Sequence, residues 1–63
     1  MKNARLYVKR KENRKSQREL ADALLIHPQT YHLKETGKLN FTISEALDLA
    51  DYFECGLDEL FAR

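Results

Sequence analysis

Leu20, Ala21 and Leu24 fall on one stripe of a helix drawn at about 3.6 residues per turn, with polar residues on the other side. The same spacing recurs downstream, where Ile43, Ala46, Leu47, Ala50 and Phe53 define an inner face and Glu45, Asp48 and Asp51 point outward. Near the start, Leu6 and Arg10 share a face at i, i+4. Near the end, Leu57, Leu60 and Phe61 give a short apolar turn. The pattern predicts five helices, at about 3–12, 17–24, 28–36, 43–54 and 57–62, and no strand.

Punctuation residues agree with these bounds. Ser16 and Glu19 form an S-x-x-E capping box, in which each side chain satisfies a backbone amide left unpaired at the helix start. Thr42 and Glu45 repeat the device ahead of the fourth helix. Pro28 suits a first helical position, where its missing N–H costs nothing. Gly37 suits the position just past a helix end, where a left-handed residue closes the last turn.

The third helix, "PQTYHLKET", has little to bury. Thr30, Tyr31 and Lys34 fall on one side; Pro28, Gln29, His32, Leu33 and Thr36 fall on the other. Short, mostly uncharged hydrogen-bonding groups with one exposed leucine are poor core material. They suit the floor of the DNA major groove, where an amide pairs with adenine and an aliphatic group meets a thymine methyl. The second and third helices are separated by a very short joint, which reads as a helix-turn-helix whose second helix enters the groove.

Charge sharpens the picture. The net charge is +1, but residues 1–18 hold eight basic residues against one acidic, a local +7. Residues 41–63 hold one basic against six acidic, a local −5. One end of the molecule therefore attracts a polyanion and the other repels it. A solvated basic helix accounts for the first segment by itself; its place beside a polar helix favours a nucleic-acid surface.

Other classes find little support. A chain of 63 residues makes one small domain, 1–63, with a thin stability margin. Cys55 is the single cysteine, so no internal disulfide forms, and it reads as a small residue near the core. His27 and His32 lie five apart, about 140° around a helix, and share no metal. The longest wholly apolar run, "ALLI", is too short to span a membrane, and no signal-peptide segment is present, so the cytoplasm is the expected compartment. The carboxylates Glu45, Asp48 and Asp51 read as a solvated face. With no nucleophile–base pair and no phosphate-cradling glycine loop, the chain reads as a non-enzyme without cofactor, metal or small-molecule ligand.

The segment "SQRELADALLIHPQTYHLKETGK" resembles the helix-turn-helix of the Cro and lambda-repressor-like (Xre) family of phage and bacterial regulators. Ser16, Gln17, Glu19, Leu20, Ala21, Gln29, Thr30, Glu35, Gly37 and Lys38 stand in the family's pattern. "FTISEALDLADYFECGLDELF" is similar to its fourth and fifth helices, so the likeness covers roughly residues 4–61. The resemblance implies an all-α, five-helix fold with the helix-turn-helix at helices 2 and 3. It implies base reading by His27, Pro28, Gln29, His32 and Leu33. It places Gln17, Lys38 and Asn40 at backbone phosphates, while the helix-turn-helix reading itself puts the basic residues Arg10, Arg14, Lys15 and Arg18 on flanking phosphates. It also makes Arg10 and Glu35 a buried ion pair.

Three positions depart from the family pattern. Leu25 stands where the turn often has glycine, His27 replaces a usual serine cap, and Lys34 occupies a position that is normally aliphatic. Either the third helix is slightly rotated, or Lys34 lays its methylenes along Tyr31 and Phe41 and reaches outward. The expected function is sequence-specific binding of double-stranded DNA by a Cro-like repressor, since the sequence stops just after the fifth helix. A homodimer, at least on a pseudo-palindromic operator, is expected from the single reading helix. The alternative is an antitoxin or another protein-interaction module of the same fold.

Overall fold

Two reciprocal caps set the frame. In the computed structural model, which describes residues 3–61, the Ser16 hydroxyl accepts from the Glu19 amide at 3.0 Å while Glu19 Oε1 accepts from the Ser16 amide at 3.0 Å. Thr42 and Glu45 do the same, at 3.0 and 2.9 Å. These boxes start the second and fourth of five helices: α1 (Ala4–Glu12), α2 (Gln17–Leu24), α3 (Pro28–Thr36), α4 (Ile43–Phe53) and α5 (Leu57–Phe61). No strand occurs among the described residues.

The other ends are closed by different means. Asn3 does not cap its own helix; its side-chain amide donates to the Lys34 carbonyl at 2.7 Å and ties the start of α1 to α3. Gly37 closes α3 at φ 92°, a left-handed conformation that a glycine adopts without a Cβ penalty. Leu25 and Glu54 close α2 and α4 at φ 60° and 54°, each with a side chain that opposes that conformation. The expected fourth helix thus stops one residue early, at the left-handed Glu54, and the expected end of the fifth at residue 62 lies outside the described residues.

Leu6, Leu20, Ala21, Leu24, Tyr31, Leu49, Ala50 and Leu60 form the core, with Ile26, Phe41, Phe53, Cys55 and Phe61 packed against it. Each fully buried leucine contributes about 1.5–3 kcal/mol. Phe41 bridges the rings of Tyr31 and Phe61 edge-to-face, with centroids 5.9 and 5.7 Å apart. The α2 helix packs against α3 and α4, while α1 packs against α3 and α5.

One face differs from the sequence reading. Ile43 is 79% exposed and Leu47 48% exposed, whereas Leu49 is fully buried. Ala46, Leu49, Ala50 and Phe53 form the inner stripe of α4, about 50° around from the expected one. Glu45 does not point outward either. Its carboxylate meets Lys34 Nζ at 2.6 Å, with the two side chains 14% and 12% exposed.

Candidate nucleic-acid interface

The joint between α2 and α3 is made by one residue in the left-handed region. The Leu25 amide returns to the Asp22 carbonyl at 3.1 Å and the Ile26 amide to Ala21 at 3.0 Å, which turns the chain sharply into His27. His27 then caps α3 through its ring: Nδ1 accepts from the Gln29 amide at 3.0 Å. Imidazole thereby does the work of the hydroxyl more often found at a helix start.

The two sides of α3 have different tasks. Tyr31 and Glu35 are fully buried. Gln29 and His32 are exposed, and Pro28, Thr30, Leu33 and Thr36 are half-buried. The outward face therefore offers an amide and an imidazole close to one helical turn apart, flanked by His27, Pro28 and Leu33.

A polar network connects that face to the interior. Arg10 meets Glu35 through Nε to Oε2 and Nη2 to Oε1, both 3.0 Å. Tyr31 donates its hydroxyl to Glu35 Oε2 at 2.6 Å, and Gln17 Nε2 donates to Oε1 at 3.1 Å. Gln17 Oε1 lies 3.2 Å from His32 Nδ1. Burial alone would push the Glu35 carboxyl up, but donors on Arg10, Tyr31 and Gln17 hold it below the usual carboxylate range. The hydrogen bonds that Arg10 donates to Glu35 raise its guanidinium further, so the pair stays ionised.

Of the two roles expected for Arg10, the geometry accounts for the ion pair with Glu35. It is 5% exposed, and three of its five N–H groups are engaged, two on Glu35 and one on the Lys15 carbonyl, reached from Nη1 at 3.0 Å. Lys34 does not reach outward, one of the two placements expected for it; its side chain is 12% exposed and ends on Glu45, whose carboxyl burial would raise but whose hydrogen bonds from Lys34 and the Thr42 amide hold low.

The remaining cations gather at the start of α2. Lys11, Arg14 and Lys15 line a shallow hollow with Ser16 and Gln17, and Glu19 closes one side. Lys15 leans weakly on Glu19 at 3.9 Å, and the exposed Arg14, Arg18 and Lys38 have no side-chain partner among the described residues. Lys38 and the exposed Asn40 follow α3 on the chain. Among the described residues the amides of Gln17 and Arg18 have no backbone partner, as the first turn of any helix leaves them. Lys11 was absent from the sequence-derived set; its spacing of three and four residues from Arg14 and Lys15 was the available signal.

The arrangement is one helix with polar groups aimed outward, seated across a second helix whose start is ringed by cations. A family model described as helix-turn-helix matches residues 6–60. The chain belongs to the Cro and lambda-repressor-like (Xre) helix-turn-helix family. No curated protein matches it significantly. As a helix-turn-helix protein of that family it is a DNA-binding regulator, in a family of regulatory domains rather than of enzymes. Among the described residues no group of His, Cys, Asp and Glu could hold a metal ion, and no helix is long and apolar enough to cross a membrane.

Proposed function

We propose that this helix-turn-helix protein is a Cro-like repressor that reads the major groove with α3 and occupies a pseudo-palindromic operator as a homodimer. The observation that carries this reading is the exposure of Gln29 and His32 on the outer face of α3, with Arg14, Arg18 and Lys38 exposed and without a side-chain partner among the described residues. Gln29 would pair with adenine, and Leu33 with Pro28 would meet thymine methyls. The amides of Gln17 and Arg18, with Arg14, Lys15, Lys38 and Asn40, would hold the flanking phosphates and set the register.

A single reading helix covers few base pairs, so two copies are needed, with half-sites about 10 bp apart. The acidic α4 and α5 would face away from the phosphates. Protomer contacts would come from the C-terminal third, around residues 51–63, where Tyr52 and Leu57 are exposed.

Selection from random duplex DNA at stated salt tests the reading. Gln29→Ala costs roughly 1–3 kcal/mol on the selected site and relaxes preference at one base pair. Arg18→Ala lowers affinity for all sequences alike and reduces the slope of log K against log salt by about 0.9. An unchanged motif for Gln29→Ala overturns the reading face. One protein per site, on a motif without a dyad, overturns the dimer.

A second reading, an antitoxin or other interaction module of this fold, draws on the exposed Ile43 and Leu47 of α4. A co-purifying partner protein that binds this face and releases DNA would place that reading first.

A further inference from the structure

The two histidines on the outer surface are held by unlike partners. His27 Nδ1 receives a hydrogen bond from a backbone amide, that of Gln29, at 3.0 Å. An amide nitrogen only donates, so Nδ1 must carry a lone pair and the ring proton must sit on Nε2. His32 Nδ1 instead faces the side chain of Gln17, at 3.2 Å. Glutamine can turn either of its ends toward a neighbour, but here Glu35 removes the choice.

The Glu35 carboxylate is an acceptor only, and it takes two hydrogens from Arg10 and one from Tyr31. Whichever end of Gln17 lies 3.1 Å from Glu35 Oε1 must be the NH2 end. The Gln17 carbonyl oxygen is then the atom that meets His32. Because that oxygen only accepts, His32 Nδ1 must donate. In the neutral ring this leaves a lone pair on Nε2.

We propose that the fold locks His27 and His32 in opposite imidazole tautomers, giving the reading surface one ring N–H donor, His27 Nε2, and one ring-nitrogen acceptor, His32 Nε2. The DNA part of this inference rests on the groove-reading function proposed above. A donor at His27 complements guanine N7 or O6, or a phosphate oxygen. An acceptor at His32 complements an exocyclic amino group, adenine N6 or cytosine N4. Gln17 is thus a positioning residue: it transmits the polarity of a buried carboxylate to a surface nitrogen without touching the base.

The test begins on free protein. Imidazole nitrogen NMR at about pH 8, above the ordinary histidine range, distinguishes protonated from bare ring nitrogens. The expected result is a proton on Nδ1 of His32 and on Nε2 of His27. In Gln17→Ala, His32 relaxes to the averaged tautomers of a free side chain while His27 is unchanged, which also shows that α3 remains folded. A proton on His32 Nε2 in the unaltered protein, or no response to Gln17→Ala, overturns the lock whatever the DNA results.

The DNA arm is separate. With the tautomers as stated, His32→Ala lowers discrimination for an amino-bearing base at one position by about tenfold. A selected motif that His32→Ala leaves intact overturns the acceptor role. A chain that selects no motif at all overturns the groove reading and leaves the tautomer result standing.

Discussion

Arg10 and Glu35, 25 residues apart on α1 and α3, face each other through two parallel hydrogen bonds of 3.0 Å. This fork-to-fork geometry is the strong form of a charge-assisted bond, and the pair is almost entirely shielded from water. Removing one partner strands the other as a buried charge. Arg10→Met or Glu35→Gln alone should cost about 3–5 kcal/mol in denaturant unfolding, a large share of what a domain this small has. A double-mutant cycle should return a coupling well above the value for an exposed pair; additive effects would show that the two act independently.

Acid should undo the same contact. Burial pushes the Glu35 carboxyl up, its three donors pull it down, and the net effect is a folded value below that of the unfolded chain. The stabilisation is therefore complete above the ordinary carboxylate value, about pH 4.3, and is lost as pH falls through the lower folded value. Glu45, also held low by Lys34, adds to the loss. Denaturation midpoints measured down the acid range should fall more gently in Glu35→Gln than in the unaltered protein.

Lys34 and Glu45 offer a contrasting case. Their 2.6 Å contact stands where an aliphatic side chain would serve. Lys34→Met should cost about 1–3 kcal/mol, since it leaves a largely buried carboxylate short of a partner. Lys34→Met with Glu45→Gln should recover most of that loss, because glutamine keeps the capping box with Thr42 and no charge is stranded. Thermal melts of the two variants decide the matter, and equal losses would disprove it.

Leu25 is strained without return. It sits at φ 60° with its side chain 92% exposed. Leu25→Gly removes a left-handed penalty of about 1–2 kcal/mol and adds a backbone entropy cost of about 0.5–1 kcal/mol. A net gain of about 0.5–1 kcal/mol is expected in the unfolding midpoint, with no change in DNA affinity. A destabilised variant would mean that the leucine makes contacts the folded geometry does not reveal.

Helix bounds were legible in the sequence because caps are local. Ser16 with Glu19, Pro28 and Gly37 each act within four residues, and each occupies the expected position in the fold. The inner face of α4 was less legible. Its apolar residues 43, 46, 47, 49, 50 and 53 cover an arc of about 160°, wider than one helix can bury here, so periodicity allowed two overlapping stripes. Packing against α2 and α5 selected the stripe containing Leu49. The Lys34–Glu45 contact and the Gln17 link from Glu35 to His32 join residues 11 to 18 positions apart, and no local rule points to either.

Tyr31 lends the core an optical handle. The chain has three tyrosines and no tryptophan, so its near-ultraviolet spectrum comes from few rings. The Tyr31 ring is fixed edge-on to Phe41, and its hydroxyl is committed to Glu35 at 2.6 Å. Burial, then the Glu35 contact, pushes its ionisation far above the ordinary phenol range. Its phenolate absorbance therefore belongs to the opened chain alone. An alkaline absorbance titration followed beside helical dichroism would time the loosening of this one hydroxyl against the melting of the helices around it.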